Sequence, residues 1–395
     1  GDVYKRQRKK NQILAAIQSI NLFLANVNAC TIKAIVQPKS AVGSFHACAF
    51  DARGKLKCWG SKVFTGVNGS GGVTSSPISV SGTDTFKTVA AGTSGTCGIT
   101  TSGAAKCWGQ NDVGFVGDGS QIYRRIPTQV SGITSGATGI AAGRAHACAI
   151  VSSPPDRTGI KCWGRNGEKQ LGDSNATFSA VPVSVQQAFD LSTIFTSISA
   201  GDYHTCSLEQ TGKVFCWGLN VNGELGVAPP NDSDIYSPWE EVSALPQATS
   251  VACGSGHTCA VTAVGSVECW GSLTTEMFNF QNLDPLNLSS LSGVVSVASG
   301  NDFSCALNNS GAVYCWGAGD QGQLGNGNTE DSYIPVSVVG LTSGVTHISA
   351  GGSTACAVKN DQQIYCWGRG GSGQIGNGGK SINASTPQLV KGSPW

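Results

Sequence analysis

Residues 201–218 read GDYHTCSLEQTGKVFCWG. Two short strand-like runs, 204–208 and 213–217, flank Glu209-Gln210-Thr211-Gly212. Folded as a hairpin, the stretch pairs Glu209 with Lys213 and leaves three residues in the loop. Gly212 then stands third in the loop, where a type I turn followed by a bulge needs a left-handed residue. The same register sets Cys206 opposite Cys216, close enough across the strands for a disulfide.

The unit recurs seven times, with cysteine pairs Cys48/Cys58, Cys97/Cys107, Cys148/Cys162, Cys206/Cys216, Cys259/Cys269, Cys305/Cys315 and Cys356/Cys366. Six pairs are ten apart; the third is fourteen apart, its turn lengthened by Ser152-Ser153-Pro154-Pro155. Trp-Gly follows every second cysteine, and a glycine stands five residues before every first one, from Gly43 to Gly351. Five of the six ten-residue hairpins carry Gly at the third loop position, and the other carries Gln362. A glycine-rich loop follows each Trp-Gly, clearest in GAGDQGQLGNG at 317–327, and then a Pro-x-x-apolar strand such as Pro335-Val336-Ser337-Val338.

Successive second cysteines are between 46 residues (Cys269 to Cys315) and 55 residues (Cys107 to Cys162) apart. A period of about 50 residues made only of short strands predicts one four-stranded propeller blade per repeat. No repeat holds a helix-period segment, which excludes a helical solenoid. The last strand, 387–390, has no Ala-Gly strand after it in the chain. It is therefore expected to close the ring against the first hairpin and so remove two exposed sheet edges.

The motif AG-x-x-H-x-C…G-x-x-x-C-W-G-x-N-x-x-G-x-L-G, repeated over residues 40–392, resembles the repeats of the regulator of chromosome condensation family. That resemblance implies an all-β, seven-bladed β-propeller, here with one cross-strand disulfide hairpin per blade. The cysteines depart from the family's eukaryotic nuclear members. They are similar to those of a bacterial, exported branch sometimes labelled alpha-tubulin-suppressor-like.

By length alone, 395 residues hold two or three domains. Seven coupled repeats argue instead for one ring over residues 30–395. The 54 glycines and a charged fraction of only 12% suit strands and tight turns. A net charge of +1, with no basic stripe beyond the first ten residues, argues against duplex nucleic acid as a partner.

Sixteen cysteines divide into the seven pairs plus Cys30 and Cys253. Paired placement across seven turns implies disulfides and an oxidising compartment: secreted, periplasmic or cell surface. Each bond closes a short loop, worth about 2–3 kcal/mol on the loop-entropy account. With the paired cysteines spent and no Cys-x-x-Cys, neither a metal nor another cofactor is expected.

Residues 1–29 read as an export-signal-like segment, though GDVYKRQ at 1–7 resembles a translated adapter. Arg8, Lys9 and Lys10 precede an apolar run at 13–24, and Val27-Asn28-Ala29 offers small residues before Cys30. The run is too short and polar for a membrane span. Val27-Asn28-Ala29-Cys30 also resembles a bacterial lipoprotein cleavage box, which makes Cys30 a candidate lipid anchor. A free thiol and a bond to Cys253 are the alternatives. Cys253 replaces the usual Ala of the Ala-Gly step and reads as a packed core thiol.

His46, His146, His204 and His257 stand two residues before a first cysteine. Their equivalence on different blades favours an imidazole bonded to a neighbouring turn over catalysis or metal binding. Each Trp reads as blade-to-blade packing. Between the Gly and the His position two residues vary: Ser44-Phe45, Thr93-Ser94, Arg144-Ala145, Asp202-Tyr203, Ser255-Gly256, Asn301-Asp302 and Gly352-Ser353. They are expected at turn tips on one face, beside the channel. Variation on a constant scaffold marks Phe45, Arg144, Asp202, Tyr203, Asn301 and Asp302 as partner-binding candidates. Loops 272–282 and 227–238 depart from the pattern and are the candidates on the opposite face.

No catalytic residue is assigned, and no enzyme activity is expected. His-Glu-x-x-His and Gly-x-Ser-x-Gly are absent, and Gly378-Gly379-Lys380-Ser381 lacks the earlier glycine of a phosphate loop, having Gln374 there. The chain therefore reads as an exported or surface protein-binding module, a monomer that docks another protein on one face as an inhibitor or adhesin. The alternatives are a carbohydrate-binding surface protein, for which Phe45 and Tyr203 are the exposed aromatics, and a guanine-nucleotide exchange factor-like regulator, as the nuclear relatives imply.

Overall fold

The hairpin at 204–218 forms in the register its sequence dictates. Strands His204–Glu209 and Val214–Leu219 set Cys206 opposite Cys216. The loop closes through Glu209 N–H to the Lys213 carbonyl at 2.9 Å, with Gly212 at φ +92°. In the hairpin without glycine, Gln362 itself takes φ +65°, at a cost of about 1–2 kcal/mol.

All seven expected cysteine pairs form disulfides: Cys48–Cys58, Cys97–Cys107, Cys148–Cys162, Cys206–Cys216, Cys259–Cys269, Cys305–Cys315 and Cys356–Cys366. Their Cα atoms are 4.0–4.1 Å apart. The second cysteine also marks where the outer strand shifts register. Cys58 faces Ile78 while Gly60 faces Thr74, and Cys366 faces Gln388 while Gly368 faces Ala384.

The computed structural model describes residues 40–51, 53–67, 71–153, 157–172, 176–185, 193–227, 236–272, 286–288, 290–379 and 382–395. The export-like segment, Cys30, and most of loops 227–238 and 272–282 lie outside these residues.

An inner strand, Phe195–Ala200, precedes the hairpin and an outer strand, Tyr236–Glu241, follows it. The four pair antiparallel in sequence order. Among the described residues the chain forms seven such four-stranded sheets. The inner strand of each blade touches that of the next, and Val345–Gly351 of blade seven meets Ser40–Val42 of blade one. This is a closed seven-bladed propeller.

Closure differs from the sequence expectation. The last strand, Ala384–Leu389, pairs within its own blade, with Ile364–Gly368. Blade one has its own inner strand, Ser40–Val42, paired with Ala47–Ala49. Among the described residues no strand is exchanged between first and last blade. The seam is held by side chains instead. Trp59 Nε1 donates to the Gln374 carbonyl at 2.7 Å, Ser40 Oγ meets Ser349 Oγ at 2.8 Å, and Trp395 packs edge-on against Trp59 at 6.1 Å. Val42, Ala47 and Trp59 share a core with Val358, Ile364, Cys366 and Val390. The described part of this strand is Ser40–Val42, with Ser40 where other repeats have Ile or Val.

Five other seams use the same joint. Trp108, Trp163, Trp217, Trp270 and Trp367 are fully buried. Each donates from Nε1 to a loop carbonyl of the preceding blade, at Phe64, Phe115, Gln170, Glu224 and Gln323 respectively, at 2.8–2.9 Å. Blade-to-blade contact at the centre also explains the glycine before each hairpin. A Cβ on Gly201 would strike the Gly254 carbonyl of the next blade and the His204 ring. Only a bare Cα lets the inner strands approach so closely.

The outer strands extend further than the sequence pattern indicates. Pro335 lies inside Ser332–Ser337, at a register shift where Cys315 faces Val336 but Gly317 faces Ser332. Pro127, Pro182 and Pro387 are placed likewise. A proline at a bulge of an edge strand loses no ladder bond and discourages pairing with another chain.

Two outcomes follow. Non-reducing peptide mapping of the native protein will find the seven pairs linked; free thiols at Cys206 and Cys216 would overturn the assignment. Deleting residues 384–395 strips the outer strand of blade seven and the Trp395 contact to Trp59. It will lower the thermal midpoint, which calorimetry can check.

Candidate interaction site at the channel mouth

The seven variable turns join each inner strand to the first strand of its hairpin, so all tip the same face. The leading residues Ser44, Thr93, Asp202, Ser255, Asn301 and Gly352 line a central constriction of about 60 Å³ with the ring glycines. They bond round the circle. Ser44 Oγ meets Thr93 Oγ1 at 2.7 Å, and Asp202 accepts from Ser255 Oγ at 3.0 Å and faces Arg144 Nη1 at 3.5 Å. Asn301 acts through its backbone, which donates to the Gly352 carbonyl at 2.7 Å and accepts from Ser255 N–H at 3.0 Å.

The structure gathers Arg144, Asp202 and Tyr203 into one cluster. The Arg144 guanidinium lies over the Tyr203 ring at 5.4 Å, and Arg165 lies over the same ring at 5.5 Å. Arg165 is held in a fork by Glu168 at 2.6 and 2.9 Å, and this bonding keeps the Glu168 carboxyl below the usual range. Phe45 belongs to a second cluster, stacked on Phe64 at 6.2 Å and covered by Arg369 at 5.8 Å. No described contact joins the two clusters. Asp302 is exposed. Desolvation, then the like charges of Asp202 and Asp320, raise its carboxyl above the ordinary value.

Sequence reasoning missed Arg165, Arg369 and Phe64. The signal was present for the arginines, which occupy one repeat position directly after Trp-Gly. Their backbone N–H groups bond the carbonyls of Ala145 and Ser353 at 2.9 and 2.8 Å, so each is anchored to a mouth turn.

The four histidines lie beneath this face and are fully buried. Their Nε2 atoms bond Thr96, Thr205, Thr258 and Ser304 of the next blade at 2.6–2.9 Å. Thr96, Thr205 and Thr258 donate onward to the carbonyls of Phe64, Gln170 and Glu224. Their oxygens therefore accept from the imidazole, which fixes a neutral Nε2–H tautomer. Burial lowers the ring pKa from 6.5 to about 3 for His46, His204 and His257 and to about 4 for His146.

Below pH 6.5 the unfolded chain takes up protons that the folded rings refuse, so stability falls with pH. Glu224 runs the other way. Desolvation raises its carboxyl from 4.5 to about 7, so its contribution falls as pH rises between those values. Four imidazoles outweigh one carboxyl, and net stability declines below pH 6.5. Phe303 fills the equivalent site in blade six, so His257→Phe is tolerable there. It will flatten the urea-measured slope of stability on pH between 4 and 6 by one proton, about 1.4 kcal/mol per pH unit; an unchanged slope would contradict the buried neutral assignment.

The architecture and repeat motif define a class: a seven-bladed propeller with one hairpin signature per blade. The chain belongs to the regulator of chromosome condensation family. The family model for the RCC1-like domain matches residues 155–394, and models of the RCC1 repeat match 103–150 and 86–114. Among relatives, the chain is similar to the ultraviolet-B receptor UVR8 of Arabidopsis thaliana, 28% identical over 311 residues, covering 76% of this chain and 69% of that one. It is 30% identical to human HERC2, an E3 ubiquitin-protein ligase, over 74% of this chain but 5% of that one. Among solved structures, yeast RCC1 (Prp20) bound to Kap60 superposes with a TM-score of 0.73 at 20% identity, covering 86% of this chain and 84% of that one. Human WBSCR16 gives 0.62 at 21%, covering 72% and 79%.

Proposed function

We propose that this protein is an exported or surface-displayed binding module, without catalysis of its own, that docks another protein on the channel-mouth face. The carrying observation is the Arg144–Tyr203–Arg165 stack, with Asp202 beside it and Arg369 over Phe45 on the same face. Aromatic and arginine side chains are the usual energetic anchors of protein interfaces. Among the fold's neighbours, yeast RCC1 carries a protein, Kap60. The ligase activity in the name of HERC2 is said of a chain of which this one spans 5%. Seven disulfides support an oxidising compartment. As an inhibitor or an adhesin, such a module would work by occupying its partner's surface.

The test is capture from the culture fluid and envelope fraction of the source cells with the immobilised protein. Binding of the captured partner is then compared with the Phe45→Ala, Arg144→Ala, Tyr203→Ala triple variant. These side chains lie outside the buried seams, so the thermal midpoint will hold while affinity falls at least about thirtyfold, the equivalent of one anchor of about 2 kcal/mol. Undiminished binding would transfer the site to the opposite face.

A further inference from the structure

After its Trp-Gly, blade three reads Arg165-Asn166-Gly167-Glu168-Lys169-Gln170, and blade seven reads Arg369-Gly370-Gly371-Ser372-Gly373-Gln374. In blade three the Glu168 carboxylate is held by three donors: Arg165 Nε at 2.9 Å, Arg165 Nη2 at 2.6 Å and Gln170 Nε2 at 3.1 Å. Gln170 is turned toward that carboxylate because its Oε1 accepts from Glu168 N–H at 3.0 Å. Blade six repeats the part of the amide. Gln323 Oε1 accepts from Gln321 N–H at 2.8 Å, and Nε2 donates to Asp320 Oδ1 at 3.1 Å. Blade seven keeps the donors and lacks the acid. Gln374 is fully buried, and its Oε1 accepts from Ser372 N–H at 2.8 Å, but its Nε2 has no partner among the described residues. The exposed Arg369 guanidinium lies over Phe45 at 5.8 Å and makes no hydrogen bond or ion pair among the described residues. Ser372 stands where blade three has Glu168, and Gly371 stands where blade six has Asp320. The one acid between residues 345 and 395 is Asp361, in the hairpin loop at the far end of the strands.

We propose that Arg369 and Gln374 form a receptor for a carboxylate side chain, aspartate or glutamate, presented by the protein that docks on the channel mouth. This rests on the docking reading above and names the chemistry of one contact within it. Glu168 shows, inside the same chain, which group these two residue types take at this repeat position. A carboxylate on blade seven receives two charge-assisted bonds from the planar guanidinium fork and a third bond from the amide. With Oε1 locked on a backbone N–H, Gln374 offers only a donor, and Arg369 has no acceptor to offer. The pair therefore takes the oxygens of an anion and turns away an ammonium group. In blade three the bonding from Arg165 holds the Glu168 carboxyl below the usual range, so this donor set favours the charged form. A buried donor left without an acceptor is costly, and the incoming oxygen removes that cost at Gln374 Nε2. Phe45 beneath the guanidinium keeps the fork at the mouth, where a partner can reach it.

The first arm of the test needs no partner. The isotope-labelled full chain, with its disulfides intact, is titrated with propionate and followed by NMR of side-chain nitrogens. The Gln374 Nε2 and Arg369 Nε signals will shift together and saturate. Propionamide, the neutral isostere, will move neither. Ser372→Glu, which copies Glu168 of blade three, will set both signals near their propionate-saturated positions and abolish the response. Should it fail to fold, Gly371→Asp, after Asp320 of blade six, replaces it. No saturable shift, an equal shift with propionamide, or tighter uptake of inorganic phosphate would overturn the site. The second arm uses the captured partner, whose binding Ser372→Glu will weaken at least about tenfold, the loss of one charge-assisted contact. Undiminished binding by Ser372→Glu beside a weakened Phe45→Ala, Arg144→Ala, Tyr203→Ala variant would overturn the carboxylate contact and leave the docking face standing. Undiminished binding by both would remove both.

Discussion

The ring depends on one hydrogen bond repeated at six of its seven seams, from a buried tryptophan indole to a loop carbonyl of the preceding blade; at the other, the buried Trp316 indole has no partner among the described residues. An indole has a single N–H and carries a large apolar surface. Buried without an acceptor it would forfeit about 1–3 kcal/mol, and truncating it to Ala would cost about 3–5 kcal/mol in lost packing. At Phe64, Gln170 and Glu224 the same carbonyl also accepts from the threonine that the previous blade's histidine holds. Both lone pairs of that oxygen are then filled. Tryptophan, threonine and histidine thus converge on one atom, and two blades are fixed in a single relative position.

The disulfide hairpin makes this joint possible. Each second cysteine, from Cys58 to Cys366, lies next to its tryptophan, so the cross-strand bond fixes which way the indole leaves the sheet. Each first cysteine lies two residues from the histidine position, so the same bond fixes the imidazole where one is present. The two mouth residues before that position inherit its placement. Binding chemistry can then vary at Phe45, Arg144 or Tyr203 while the joint beneath stays constant. Blades five and six show the tolerance of the scheme. Ser304 replaces threonine as the partner of His257, and Phe303 replaces histidine, filling its space without its hydrogen bond.

The outer rim meets the opposite demand. Each blade ends in an edge strand with backbone groups open to another chain. Prolines at the bulges interrupt those edges. The glycine loop of the preceding blade covers part of them, as where Gly119 N–H bonds the Ala180 carbonyl and Gly327 N–H bonds the Ser385 carbonyl, both at 2.9 Å. One loop therefore supplies the tryptophan's acceptor on its inner side and shields a neighbouring strand on its outer side.

What the sequence by itself determined was local. Hairpin register, the disulfide pairs, the blade count and the turn that reaches the mouth all follow from residues within about 20 positions of each other, where strand alternation and turn chemistry leave one solution. The site was legible to the same extent: Arg144, Asp202 and Tyr203 could be assigned to one face. Only the tertiary structure decided what crosses a seam. It set Arg165 over Tyr203, stacked Arg369 on Phe45 across the first and last blades, and closed the ring without exchanging a strand among the described residues. Such contacts join residues on different blades, 38 positions (Arg165 and Tyr203) or more apart in the chain. They depend on the angle between packed sheets, which the repeat period leaves open and the buried tryptophans and bare glycines at each seam fix.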